Sequence, residues 1–328
     1  MDCGLRQDIP YLAVEKIHRM IFDWNQIMEN IPDDWRATEG KGVKIAILDS
    51  GAELGHPAFN HLETAGHRFW VARSGYNPTA PPPPGNDDVA DAKPDGVAHG
   101  TGCLSILAAK PETEDSGMKG LAPKAEFFIV KIAAADAASR NGDLVNAIEL
   151  ALKLDVDIIA CSVLPLLTQT VSAGRLQQVF GKLTEQRTLL FTSLENTDLP
   201  EVLNDLQFPS DRLESIVSGV VSKELLEGLP ANAVFDPRIA FLHPTVKVRQ
   251  CRAPGYLNDQ CSSSVATVAL AGIAALRIAH WKNTETGYHR RTRTEVLAEL
   301  RPLAQPFSVP EILTAQTPGF FLPANASV

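Results

Sequence analysis

Five short apolar runs recur along this chain, each bounded by turn residues or polar segments. They are "GVKIAILDSG", "AEFFIVKIA", "VDIIACSV", "RTLLFTSLENTD" and "LESIVSGVV". Rich in Val, Ile, Leu and Phe, they predict buried β-strands. Between them the period changes. "GDLVNAIELALKLD" spaces its apolar residues as an amphipathic helix, and "AHGTGCLSILAAK" opens like another. In "QCSSSVATVALAGIAAL" three serines precede a run that is apolar nearly all round, which predicts a buried helix. Over residues 12–30, Val14, Ile17, Ile21 and Trp24 keep helical spacing and predict an N-terminal helix.

Buried strands alternating with helices define an α/β chain, its mostly parallel central sheet covered by helices on both faces. Sites in such sheets collect at the carboxyl ends of strands. Asp49 and Asn196 each fall just after an apolar run. "NPTAPPPPGNDDVADAKPDG" reads as a loop, held extended by its consecutive prolines. The expected organisation is an N-terminal helical extension over 1–35, a main domain over 36–285, and a polar, Pro-rich, surface-wrapping tail over 286–328.

Composition narrows the function classes. The chain has 328 residues, 45% hydrophobic and 21% charged, enough to bury a large core. Its net charge is −9 and it shows no basic stripe, which argues against a nucleic-acid partner. Cys3, Cys103, Cys161, Cys251 and Cys261 are odd in number, widely spaced and without a CxxC pair. That argues against a disulfide framework or a zinc ribbon; most sit in apolar surroundings, where a free Cys behaves as a small hydrophobe. The first residues lack the basic start and apolar core of a signal peptide. The longest apolar run, Val265 to Leu276, is too short to span a bilayer. The expectation is a cytoplasmic protein with no membrane partner.

Three motifs carry candidate chemistry. "LDSG" alone is a strand-to-turn corner. "HGTG" places His99 where a helix begins, with Gly100 permitting close backbone approach, yet alone it fits a capping histidine equally well. "SSSVAT" offers N-cap serines, and something must cap this helix. The same helix N-terminus presents N–H groups able to stabilise a developing oxyanion, so capping and catalysis share one geometry. Together the motifs supply a nucleophile, a base and a carboxylate to fix the base's tautomer.

These stretches resemble the subtilisin-like serine proteases, the subtilases, from about Trp35 to Leu276. "GKGVKIAILDSGAELGHPAF", with His56 and Pro57, resembles the region of the family's catalytic Asp. "HGTGCLSILAA" and "GLAPKAEFFIVKI" resemble the His motif and the strand after it. "FPSDRLESIVSGVVSK" resembles "YPA…VIAVGAV", and "APGYLNDQCSSSVATVALAGIAAL" resembles "APG…GTSMASPHVAGAAAL". Counting back from Ala271 and Gly272 sets the family's Ser on Ser264, with Ser263 in the Thr place and Ser262 in the Gly place. The order Asp, His, Ser is that of subtilisin. The resemblance therefore implies a three-layer subtilisin-like fold, an Asp49–His99–Ser264 triad and Asn196 as side-chain oxyanion donor. It further implies Ser162, Val163, Leu164, Leu194 and Glu195 as substrate-binding positions, and a peptide or peptide-like substrate. No cofactor is required; family members often bind calcium, but no ligand set is assignable here.

Four positions depart from the family pattern. Gly102 replaces the second His of "HGTH", and Val268-Ala269 replace a Pro-His pair. The usual "SLGG" reads "CSVLPLL", Cys161 to Leu167, and Leu164 and Pro165 crowd an edge where substrate backbone pairs. Glu195 replaces the glycine before the oxyanion Asn, where a carboxylate selects a basic residue, fills the pocket or turns to solvent. The segment ahead of the domain reads as helix plus linker rather than the family's propeptide. Neither Cys261 nor Cys103 occupies the nucleophile position. A serine endopeptidase working through an acyl-enzyme is the leading expectation. An acyl-transfer or tailoring enzyme with a restricted substrate, and a non-catalytic binding or scaffold module, remain as alternatives.

Overall fold

The computed structural model describes residues 29–304, apart from 73–74, 78–79, 92–97, 112–117, 134–139, 166–170, 195–205, 222–238, 245–246, 253–254 and 261. Almost all of the helix expected over 12–30 lies outside the described residues, as do 305–328.

The central sheet contains β1 (Lys44–Asp49), β2 (Arg68–Trp70), β3 (Glu126–Lys131), β4 (Ile158–Cys161), β5 (Leu189–Ser193), β6 (Ser215–Val221) and β7 (Ile239–Pro244). All neighbours are parallel, in the order β2-β3-β1-β4-β5-β6-β7. An antiparallel hairpin, β8 (Lys247–Arg252) and β9 (Gly255–Gln260), stands apart from it. The helices are α1 (Asp33–Arg36), α2 (His99–Ala108), α3 (Asn141–Lys153), α4 (Ala173–Gln186), α5 (Ser263–Thr284) and α6 (Arg293–Leu300).

Two hydrophobic cores sandwich the sheet, and the strand period of two decides which residue serves which. Along β1, Ile45 and Ile47 join one core with residues of α2 and α5, while Ala46 and Leu48 join the other with α3 and α4. This double burial is why the strands read as continuous apolar runs. By length and composition α5 is able to cross a membrane, but its apolar side chains are packed inside the first core, against α2 and strands β4 to β6.

All five predicted strands and the helices α2, α3 and α5 are present. Val296, Leu297 and Leu300 of α6 are buried in the α5-side core, and a Thr292–Glu295 capping box starts that helix. Asp157 anchors the segment leading to it. Its buried carboxylate accepts from the Lys44 N–H at 2.9 Å, Lys282 Nζ at 2.7 Å and Arg290 Nε at 3.1 Å. A polar sequence thus enters the fold through ion pairing, a link that periodicity does not carry.

Candidate active site

Asp49 is the last residue of β1, and the chain turns away through Gly51. Gly51 holds φ +123°, and a Cβ there would lie 2.2 Å from the Val89 carbonyl oxygen, so the turn requires glycine. α2 is set against this corner. A Cβ on Gly100 would lie 2.1 Å from the Gly51 carbonyl oxygen and 3.0 Å from Asp49 Oδ1. The absent side chain allows His99, the first residue of α2, to lie beside Asp49.

His99 Nδ1 is 2.7 Å from Asp49 Oδ1. Facing an acceptor, Nδ1 carries the proton, which leaves Nε2 of the neutral ring as the acceptor. Ser264 Oγ lies 3.0 Å from that Nε2 and 2.9 Å from the Ser162 carbonyl oxygen. The two contacts suit two protonation states. With neutral His99 the hydroxyl proton points to Nε2; with charged His99 it turns to Ser162 and Oγ accepts from the ring.

Asp49 is fully buried and surrounded by donors. Oδ1 accepts from the Ser50 N–H at 2.7 Å, and Oδ2 accepts from the Ser162 hydroxyl. Burial alone would raise its carboxyl; the charge and hydrogen bond of His99, with the Ser162 and Ser50 donors, outweigh burial and hold it below the usual range. The Asp49 charge in turn lifts His99 well above the ordinary imidazole value, with a further upward contribution from Cys103, against the opposing effect of burial.

Ser264 is the second residue of α5. Ser262 is the N-cap, its Oγ accepting from the Val265 N–H at 3.3 Å. The three serines therefore divide: Ser262 caps, Ser263 begins the helix, and Ser264 meets the imidazole. A helix leaves its first-turn N–H groups without carbonyl partners, so the Ser264 N–H stands where an oxyanion donor is useful.

The remaining expected positions fall at the carboxyl ends of β4 and β5. Ser162 is buried, its hydroxyl on Asp49 and its carbonyl on Ser264, a tie the motif comparison did not foresee. Val163 and Leu164 follow it, half-buried. Leu194 is buried against Gly219, where a Cβ would lie 2.4 Å from Leu194 Cδ1. Asn196 and Glu195 lie outside the described residues. Gly102, in the place of the family's second His, faces Gln250, whose Oε1 would be 2.5 Å from a Cβ there. His56 accepts from the Ala58 N–H at Nδ1 and donates from Nε2 to the Gly255 carbonyl at 2.9 Å, tying the loop after β1 to β9.

Cys103, Cys161 and Cys251 are buried free thiols. Cys103 Sγ is 3.9 Å from His99 Nδ1. Among the described residues, Asp49, His99 and Cys103 are the group whose potential metal-ligand atoms lie within 4.8 Å of one another. One carboxylate with an imidazole and a thiol does not suit calcium, which takes six to eight oxygen ligands.

Residues 40–207, more than half of the chain, match the subtilase family, and the chain belongs to that family. It is a serine hydrolase, a subtilisin-like serine peptidase. Among curated proteins it is similar to the major intracellular serine protease of Bacillus subtilis (strain 168), 25% identical over 315 residues, covering 93% of this chain and 90% of that protein. It is also similar to the intracellular serine protease of Paenibacillus polymyxa, 26% identical over 276 residues, covering 82% and 76%. Among solved structures the prenylagaramide maturation protease PagA shares the fold. Its TM-score is 0.55 at 20% identity, over 78% of this chain and 81% of that one.

Proposed function

We propose that Ser264 attacks the carbonyl of a peptide substrate inside the cell, with His99 as base and then acid, and Asp49 as the carboxylate that orients His99. The observation that carries this reading is the continuous chain from Asp49 Oδ1 to His99 Nδ1 (2.7 Å) and from His99 Nε2 to Ser264 Oγ (3.0 Å). His99 takes the hydroxyl proton as Oγ bonds to the carbonyl carbon. The Ser264 N–H and the Asn196 amide hold the oxyanion, each such donor contributing about 3–4 kcal/mol to the transition state. His99 returns the proton to the leaving amine, and water then releases the acyl group by the same steps in reverse. This chemistry needs no cofactor. The intracellular location rests on the names of the two bacterial relatives.

Leu164 and Pro165 favour a restricted substrate. Both are half-buried, two and three residues after Ser162, where the family carries glycines, and proline offers no N–H to an incoming strand. Val163, Leu164, Leu194 and Glu195 would line the binding edge. A tailoring enzyme that hands the acyl group to an amine is the second reading.

A fluorophosphonate probe tests the core of the proposal. It should label the wild-type protein and not Ser264→Ala. Loss of that hydroxyl should lower peptide turnover about a millionfold, the scale found when a subtilisin triad loses its serine. A well-folded wild type that takes no label would leave a protease-like binding module. Products formed with and without an added amine separate hydrolysis from acyl transfer.

A further inference from the structure

The helix that carries His99 cannot cap itself. Its N-cap is Ala98, which makes no side-chain bond, yet the first turn presents N–H groups that need partners in a buried setting. The partners come from outside the helix. The Gly100 N–H donates to Ser50 Oγ at 3.1 Å, and the Thr101 N–H donates to Asp91 Oδ2 at 2.8 Å. Thr101 Oγ1 also donates to Asp91 Oδ2 at 2.9 Å, and itself accepts from the Glu53 N–H at 2.9 Å. The other oxygen of Asp91 accepts from Ser50 Oγ at 2.6 Å. Three donors thus point at the two oxygens of one buried side chain, the pattern of an ionised carboxylate.

Ser50 stands between two acids. Its Oγ is 2.6 Å from Asp91 Oδ1 and 3.2 Å from Asp49 Oδ1, and it has one proton to give. The shorter contact assigns that proton to Asp91. We propose that Asp91 is a positioning residue for the triad: through Ser50 and Thr101 it locks the end of β1, which holds Asp49, to the first turn of α2, which holds His99. It also takes the Ser50 proton away from Asp49, which leaves the Asp49 charge directed at the imidazole. The proposal rests on the triad reading and adds a residue that positions the triad.

Among the described residues, the charged groups about Asp91 include Asp49 on β1, His99 beyond it on α2, and Lys131 at the end of β3. The Lys131 ammonium donates to the neighbouring Ala90 carbonyl at 2.6 Å and stands 5.0 Å from the centre of the Trp70 ring. Burial raises the Asp91 carboxyl, and the Asp49 charge adds to that rise against the Ser50 and Thr101 donors. Two like charges joined through one hydroxyl mean that removing one is felt by the other.

The test is the rate of fluorophosphonate labelling against pH, in the whole protein, for wild type, Ser264→Ala, Asp91→Ala and Asp91→Asn. Asp91→Ala should label at least about tenfold more slowly with its fold retained, since small misplacements of reacting groups carry costs of that scale or more. Asp91→Asn should recover much of that rate, because the amide still accepts from Thr101. Its acid limb should move to lower pH, because one negative charge is gone and the Ser50 proton is free to turn to Asp49. Both changes favour neutral His99. If wild type labels at Ser264 while folded Asp91→Ala matches its rate and pH profile, Asp91 is structural only and the proposal falls with the triad intact. If wild type does not label at Ser264, the triad reading falls and takes this one with it. If Asp91→Ala does not fold, Asp91→Asn decides: an acid limb left in place overturns the proposal.

Discussion

The Ser162 hydroxyl closes on Oδ2 of Asp49, while His99 holds Oδ1 of the same carboxylate. Asp49 is thereby fixed at both oxygens, and the imidazole it faces has one orientation. The same Ser162 offers its carbonyl to the Ser264 hydroxyl, so one residue touches both ends of the proposed triad without belonging to it.

Removing that hydroxyl should be felt by the chemistry. In Ser162→Ala the Asp49 carboxylate loses a charge-assisted donor of about 1.5–3 kcal/mol, so kcat/KM should fall by about tenfold or more. With fewer donors Asp49 becomes more basic and pulls harder on the His99 proton, which should move the acid limb of the pH profile upward. Peptide turnover measured across pH checks both. An unchanged rate and limb would mean that His99 and the Ser50 N–H hold Asp49 without the Ser162 hydroxyl.

The Asp49–His99 pair should make activity and stability respond to pH in opposite ways. As the proposed base His99 acts only when neutral, and the Asp49 charge raises it well above the ordinary value of 6.5. The rise of kcat/KM with pH should therefore be centred above the ordinary imidazole range. For stability the raised His99 contributes fully below its unfolded value of 6.5 and loses that contribution as pH rises through its folded value. Asp49, held below 3.8, contributes above that unfolded value and loses it as pH falls through its folded value. Thermal melts of wild type and His99→Ala across pH should show the pair's contribution shrinking at alkaline pH while wild-type activity rises.

Gly100 should tolerate no side chain. In Gly100→Ala the new Cβ would meet the Gly51 carbonyl oxygen at 2.1 Å and Asp49 Oδ1 at 3.0 Å, both rigidly held. Relief requires α2 to move off β1, which carries His99 away from Asp49. Overpacking of this kind costs about 1–3 kcal/mol, read as a lowered melting temperature. Probe labelling of the folded fraction should fall by a further large factor. A variant with full labelling would show that α2 can shift without disturbing His99.

Buried strands and strongly apolar helices are fixed by local sequence, because burial on both faces leaves a continuous apolar run that any window reveals. β1, β3, β4, β5, β6 and helices α2, α3 and α5 were legible for that reason, and so were the three motifs that meet at the site. Ser264 was singled out by family resemblance rather than by chemistry, since three adjacent serines differ only in where the helix begins. Long-range pairing decided the rest. Nothing within "DVAD" marks Asp91 as the outside cap of a helix beginning at residue 99, although the bare Ala98 ahead of His99 hinted that a cap must come from elsewhere. The Ser162 hydroxyl and the Asp157 anchor were equally hidden. Each is a polar side chain whose partner lies at least about a hundred residues away, and hydrogen-bond partners at that distance are chosen by the packing of strands and helices, not by the chain beside them.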